Sequence, residues 1–129
     1  MRFLLDTHVF LWWLQDHRTL SSEARAALSD PKAQVAVSAV SIWEIAIKMS
    51  LGKLSLRGVS VRDLGELPSA CGFEALPFSP AAAAEVLGLP FHHHDPFDRV
   101  LIAQAQLESL VLVTHDAAMA AYEVQTMRV

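Results

Sequence analysis

Cysteine is almost missing from this 129-residue chain: Cys71 stands alone, which excludes an intramolecular disulfide and suits a reducing, cytoplasmic setting. Long uncharged stretches are missing too. The longest one free of Asp, Glu, Lys and Arg, Ala33 to Trp43, has 11 residues, too few to cross a bilayer core of about 30 Å as a helix. No transmembrane helix and no membrane partner are expected. At the N-terminus Asp6 interrupts the apolar Met1-Arg2-Phe3-Leu4-Leu5 and no small-residue cleavage site follows, which argues against a secretory signal. A surplus of positive charge is also lacking. The formal net charge of −4 speaks against a polyanionic ligand held by Lys and Arg alone, but that objection weakens if several carboxylates share a divalent-metal site. No internal repeat, linker or low-complexity tract interrupts the chain.

What is present is apolar surface. Hydrophobic residues make up 53% of the chain and the mean hydropathy is +0.32, far from the disordered range. The length predicts one domain over 1-129 with a real core. Arg2 to Asp6 has the pattern of a buried strand and Thr7 to Gln15 that of the helix after it. Leu20-Ser21-Ser22-Glu23 opens a second helix with a serine cap, closed by Asp30-Pro31 before a strand at Gln34 to Ser38. A third helix starts near Ser41 and stops at Gly52, which suits a left-handed C-cap. A helix is expected from about Ser60 to Ala70, a short strand at Phe73 to Leu76, and an alanine-rich helix from Ser79-Pro80 to Gly88. Asp95-Pro96 begins a further helix, Leu110 to Thr114 is a β-branched strand, and a last helix and short strand follow His115-Asp116. Apolar strands separated by helices give the α/β class: a three-layer α/β/α sandwich around a mostly parallel central sheet.

Two acids, Asp6 and Asp116, follow the C-terminal ends of apolar strands, the edge at which open parallel sheets bind ligands. Each also has an ordinary role open to it as a helix cap. Glu44 follows Ser41 by three positions and so satisfies the capping-box pattern, yet one turn into a helix its carboxylate can also reach back over the sheet edge. Asp95-Pro96-Phe97-Asp98 is an ordinary helix start in which Asp95 is well explained as the cap. Asp98 is less well explained that way, and it opens a run of small and apolar residues that would seat the helix on the sheet. Four carboxylates meeting without a cation would repel and raise one another's pKa. Oxygen-only ligands favour Mg²⁺ or Mn²⁺ over zinc, and such ions promote in-line displacement at phosphorus.

Together Leu4-Leu5-Asp6-Thr7-His8, Ser41-Ile42-Trp43-Glu44-Ile45, Asp95-Pro96-Phe97-Asp98-Arg99 with Ile102-Ala103-Gln104-Ala105, and Val113-Thr114-His115-Asp116 resemble the PIN domain in content and order, most closely the VapC toxins of type II toxin–antitoxin systems. The resemblance spans nearly the whole chain. It implies a PIN-like fold and a Mg²⁺-dependent endoribonuclease, with Mn²⁺ able to substitute, which leaves 5′-phosphate and 3′-hydroxyl ends. It also implies metal ligation by Asp6, Glu44, Asp98 and Asp116, with Asp95 as an outer ligand or only a cap, and support from Thr7 and Thr114. A cognate antitoxin and a homodimer are the implied partners. A DNA-directed nuclease and a non-catalytic PIN-fold binding module are the alternatives.

Lys48, Lys53 and Arg57 form the densest basic neighbourhood, and Lys48 and Arg99 are candidate RNA contacts. A solvated face is the plain alternative. His92-His93-His94 does not make a zinc site, because consecutive side chains diverge and no Cys or second His pair accompanies them. The triplet is expected to be a solvated loop, with His94 closest to substrate. Val9-Phe10-Leu11-Trp12-Trp13-Leu14 is apolar all round, so Phe10 and Trp13 are expected in the core and the remainder against another chain. Phosphoryl transfer through an aspartyl intermediate fits poorly. A haloacid-dehalogenase-like enzyme would need a second Asp where His8 stands, and a receiver domain would need a late lysine, whereas every lysine precedes residue 54.

Overall fold

The computed structural model describes residues 1–129, the side chain of Val61 excepted. Its centre is β1 (Arg2–Leu5), whose residues alternate between two cores as the pleat requires. On one side β1 pairs with β2 (Gln34–Ser38), which pairs with β3 (Glu74–Leu76). On the other it pairs with β4 (Val111–Thr114), which pairs with β5 (Thr126–Arg128). All the pairings are parallel, in the order β3-β2-β1-β4-β5, so the sheet is wholly parallel where the sequence predicts a mostly parallel one.

Phe3, Leu5, Val35, Val37, Val111 and Val113 point into one core, shared with Val9, Phe10 and Leu11 of α1 (Thr7–Leu14), Ala24 and Leu28 of α2 (Ser22–Ser29), and Ile45 of α3 (Ala39–Ser50). Leu4, Ala36 and Leu112 point into the other. There they meet Leu101, Ile102, Ala103 and Ala105 of α6 (Pro96–Glu108). This is the expected three-layer arrangement. Leu4 and Leu112 pair across β1 and β4 and are fully buried. Leu4→Ala should therefore cost about 3 kcal/mol through lost burial and an unfilled cavity, seen as a lower urea midpoint at unchanged slope.

Several element boundaries differ from the sequence reading. The third helix begins at Ala39, not near Ser41, because the Ser38 hydroxyl caps it by accepting from the Val40 N–H at 3.0 Å. Its end is as expected, with Gly52 at φ 70°. The region expected as one helix from Ser60 to Ala70 is instead a 3₁₀ turn at Val61–Glu66 followed by a single α-turn, α4 (Leu67–Ala70). Pro68 has no N–H to donate into a continuous helix, and Gly65 lowers helix propensity just before it. The alanine-rich segment forms α5 (Pro80–Glu85) and tightens into a 3₁₀ turn at Val86–Gly88. The last helix is a 3₁₀ turn, Ala117–Ala121.

From β1 the chain steps outward through β2 to β3, then returns across the sheet to β4 on the other flank of β1. The reversal opens a crevice at the carboxyl ends of β1 and β4. Asp6 follows β1 directly, and Asp116 lies two residues beyond β4.

Candidate active site

Asp6 is 4% exposed. One of its oxygens accepts the Val9 N–H at 2.8 Å, capping α1, and the other accepts the Thr114 hydroxyl at 2.5 Å. The Thr114 hydroxyl oxygen in turn accepts the Asp116 N–H at 3.0 Å, so the ends of β1 and β4 are tied through one side chain. Burial raises the Asp6 pKa, opposed by these two hydrogen bonds, and Asp116 raises it further. Asp116 accepts the Ala118 N–H at 2.9 Å, and that bond leads the causes that lower its own pKa.

On the facing layer Glu44 sits one turn into α3 and is 4% exposed. Its Oε2 accepts from Lys48 Nζ at 2.7 Å, whereas Oε1 is buried with no hydrogen-bond partner. The capping-box role is excluded: Ser38 is the cap, and the Ser41 Oγ, buried inside the helix, instead accepts from the Thr7 hydroxyl at 3.0 Å. Thr7 thereby fastens α1 to α3.

Asp98 enters from the first turn of α6, and its carboxyl is pushed up to about 7. Burial is the largest cause, followed by the negative charges of Asp95, Asp6 and Glu44, while His93 opposes them. The charges of Asp6 and Glu44 are thus both close enough to act on Asp98. His93 Nε2 lies 3.1 Å from Asp98 Oδ2 and 2.9 Å from Asp116 Oδ2. One ligand atom from each of these three residues falls within 4.8 Å of the others.

The sequence matches the PIN domain over residues 3–124. The chain belongs to the PIN-domain family. It is similar to Ribonuclease VapC22 of Mycobacterium tuberculosis, with 31% identity over 114 residues, covering 88% of this chain and 85% of that protein. Its fold resembles that in the crystal structure of VapBC2 from Rickettsia felis bound to a promoter DNA fragment. The TM-score is 0.77 at 14% identity, over 100% of this chain and 99% of that one. FitAcB from Neisseria gonorrhoeae is also similar, with a TM-score of 0.65 at 23% identity, over 99% of this chain and 97% of that one.

Within this PIN domain some sequence-based expectations need correction. Arg99 is not available for RNA: it is 5% exposed, and its guanidinium donates to the carbonyls of Pro90, His93, Val86 and Leu89 and to the Tyr122 hydroxyl. Phe91 covers it, with the guanidinium carbon 4.2 Å from the ring centroid. Lys48 is half-buried and engaged by Glu44, which places its charge on the site rather than on a solvated face. Asp95 is a cap, its Oδ1 accepting from the N–H groups of Phe97 and Asp98.

The histidine loop also needs correction. His92 and His94 are exposed as expected, but the middle one, His93, turns inward and is the member that reaches the acids. The sequence did carry a signal for this: three consecutive side chains cannot all face solvent in the same way, and the middle one opposes its neighbours. What chooses His93 is Tyr122, whose hydroxyl accepts the His93 N–H at 2.8 Å from 29 residues away.

The apolar α1 segment is used largely within the fold. Val9, Phe10 and Leu11 are buried, while Trp12, Trp13 and Leu14 are half-buried and pack against the first core. The large apolar side chains left exposed lie elsewhere, among them Trp43, Leu51, Leu87 and Phe91. Among the described residues no helix is long and apolar enough to cross a membrane.

Proposed function

We propose that this PIN domain is a divalent-metal-dependent endoribonuclease, Mg²⁺ being the ion that its oxygen donors favour and Mn²⁺ an able substitute, and that it serves as the toxin of a VapBC-type pair. Asp6, Glu44, Asp98 and Asp116 are its metal-holding residues. The observation that carries the reading is the gathering of acids at the β1/β4 crevice, Asp6 and Glu44 buried and Asp98 and Asp116 brought to within reach of one another around His93, with burial and neighbouring acids pushing the Asp98 carboxyl up to about 7. The buried Glu44 Oε1, without a partner, fits an ion independently of that repulsion. Burying a polar atom this way is costly unless something satisfies it, and hard oxygen donors of this kind suit Mg²⁺.

A bound divalent ion supplies charge for phosphate oxygens and acidifies attacking water. The chain's own groups do the positioning. Thr114 and the α1 N-terminus fix both oxygens of Asp6. Lys48 holds one oxygen of Glu44 and leaves the other buried and without a partner. Ala118 and His93 fix Asp116. Next to Asp6 and Asp116 opens a pocket of about 480 Å³, lined also by His8, Trp12, His115, Ala117 and Arg128. Its aromatic and basic lining suits a nucleotide adjoining the scissile phosphate.

The similarity to VapC22, to the VapBC structures and to a toxin-antitoxin complex from Klebsiella pneumoniae supports an antitoxin as partner; a homodimer is the assembled form the reading adds. The test is to incubate antitoxin-free wild type and Asp6→Asn with mixed RNA, and separately with DNA, in Mg²⁺ or chelator, and to map the ends. RNA cut only by wild type with metal, leaving 5′-phosphates, is the expected result. Cutting in chelator would overturn the reading; cutting of DNA alone would redirect it to a DNA nuclease, and metal-independent binding without cutting to a binding module.

A further inference from the structure

Between two of the site acids lies an imidazole whose hydrogen-bonding state the surrounding atoms dictate. The Asp95 N–H donates to His93 Nδ1 at 3.1 Å. A backbone N–H can only donate, so Nδ1 offers its lone pair and the ring proton resides on Nε2. That Nε2–H faces Asp98 Oδ2 and Asp116 Oδ2 at 3.1 and 2.9 Å. In this geometry Nε2 has no lone pair free for a cation. A cation on Nε2 would require the ring proton to move to Nδ1, directly against the Asp95 N–H.

The backbone of His93 is anchored as well. Its N–H donates to the Tyr122 hydroxyl at 2.8 Å, and its carbonyl accepts from Arg99 at 3.3 Å. Arg99 directly follows Asp98 on α6 and also gathers the carbonyls of Val86, Leu89 and Pro90. The ring is thus held from both its ends, and its side chain is 17% exposed.

We infer that His93 is a positioning residue of the metal site, a donor whose Nε2–H ties Asp98 of α6 to Asp116 beyond β4, and that it is not itself a metal ligand. The inference rests on the metal-site reading above. Asp98 and Asp116 arrive from different elements and carry like charge, so without a shared donor nothing among the described contacts holds them at one separation. By using one oxygen of each, His93 fixes the plane in which the remaining Asp98 oxygen is presented. Partners of this kind to ligating carboxylates typically change metal affinity about 10–100-fold when removed.

The experiment is a Mn²⁺ titration of the full chain followed by electron paramagnetic resonance, with circular dichroism and thermal melting to verify folding, on wild type, Asp98→Asn, His93→Ala and His93→Gln. The Gln amide places an N–H₂ close to where Nε2 stands. The expected result is Mn²⁺ affinity weakened about 10–100-fold by His93→Ala and restored to within a few-fold of wild type by His93→Gln. Equal losses in both variants would make the imidazole a ligand and overturn the inference, as would unchanged affinity in His93→Ala. If His93→Ala does not fold, Tyr122→Phe, which removes the backbone anchor, should weaken Mn²⁺ binding in the same direction, and no change there overturns the inference equally. Failure of wild type to bind Mn²⁺, or full binding by Asp98→Asn, would instead overturn the metal-site reading itself.

Discussion

Asp98→Asn is expected to abolish RNA cleavage and, at the same time, to stabilise the chelator-treated protein above neutral pH. The loss follows from removing an anionic ligand from a site asked for several kcal/mol of transition-state stabilisation, which is about a thousand-fold or more in rate. The gain in stability follows from linkage. In the folded protein the Asp98 carboxyl is pushed up to about 7 from its ordinary value of 3.8. Between those values the folded state holds a proton that the unfolded state has released, so stability falls as pH rises from about 4 through about 7. At roughly 1.4 kcal/mol per unit, the cost at pH 8 is bounded at about 4 kcal/mol.

Asparagine carries no charge at any of these pH values and has no such cost. Wild type in chelator should therefore melt several degrees lower at pH 8 than at pH 5 through this group, while Asp98→Asn removes that part of the pH dependence. Adding Mg²⁺ at pH 8 should restore wild type and leave the variant where it was. Proton and metal compete for the same carboxylate, so cleavage at a limiting metal concentration should also decline as pH is lowered, and added Mg²⁺ should move that decline to lower pH. A variant that melts lower than wild type at pH 8 in chelator would show that Asp98 is not held under repulsion.

Arg99→Met is expected to give the largest loss of stability among single changes near the site. Arg99 is buried and has no carboxylate partner among the described ion pairs. Its role is to satisfy four carbonyls, those of Val86, Leu89, Pro90 and His93, together with the Tyr122 hydroxyl. Methionine fills much of the volume but leaves those acceptors without donors, each costing about 1–3 kcal/mol where water cannot replace the arginine. A total of about 3 kcal/mol or more should appear as a lower urea midpoint. Arg99→Lys should recover only part of it, since one ammonium cannot reproduce the guanidinium fork. Loss of less than 1 kcal/mol in Arg99→Met would mean that the loop from Val86 to His93 is held by other means.

Asp6 and Asp116 were legible in the sequence because an acid just past an apolar strand has its position fixed by the sheet, whatever the loops do. Asp98 was legible because the helix after it has a small, apolar face that must lie on the sheet. For Glu44 the sequence left two roles open, and the boundary decided between them: Ser38 captured the cap three residues earlier than Ser41, which freed Glu44 from helix capping. Arg99 was misread because a charged residue beside a site acid looks like a phosphate contact. Nothing local reveals that four carbonyls from an irregular loop converge on it. His93 was only half visible: diverging consecutive side chains said that one of the triplet differs from its neighbours, but its anchoring rests on Tyr122, which is remote in sequence.

Capping, which competes with metal holding as an explanation when the sequence is read alone, leaves room for the proposed metal role in the structure. Asp6 caps α1 with one oxygen and receives Thr114 on the other, and Asp116 caps the turn after β4. Asn caps a helix about as well as Asp, whereas Ala does not. Asparagine variants of these acids therefore isolate the loss of charge, and alanine variants mix it with a loss of local structure.

The strand order has a further consequence for the time at which the site comes into being. Asp6 is made well before its hydroxyl partner Thr114, which stands on β4, 108 positions later. Synthesis proceeds from the N-terminus at about 5–20 residues per second. Throughout most of that interval the growing chain holds Asp6 and Glu44 but neither Thr114 nor Asp116. On the proposed function, a ribosome making this protein would be spared its action until the β4 segment and Asp116 have been added.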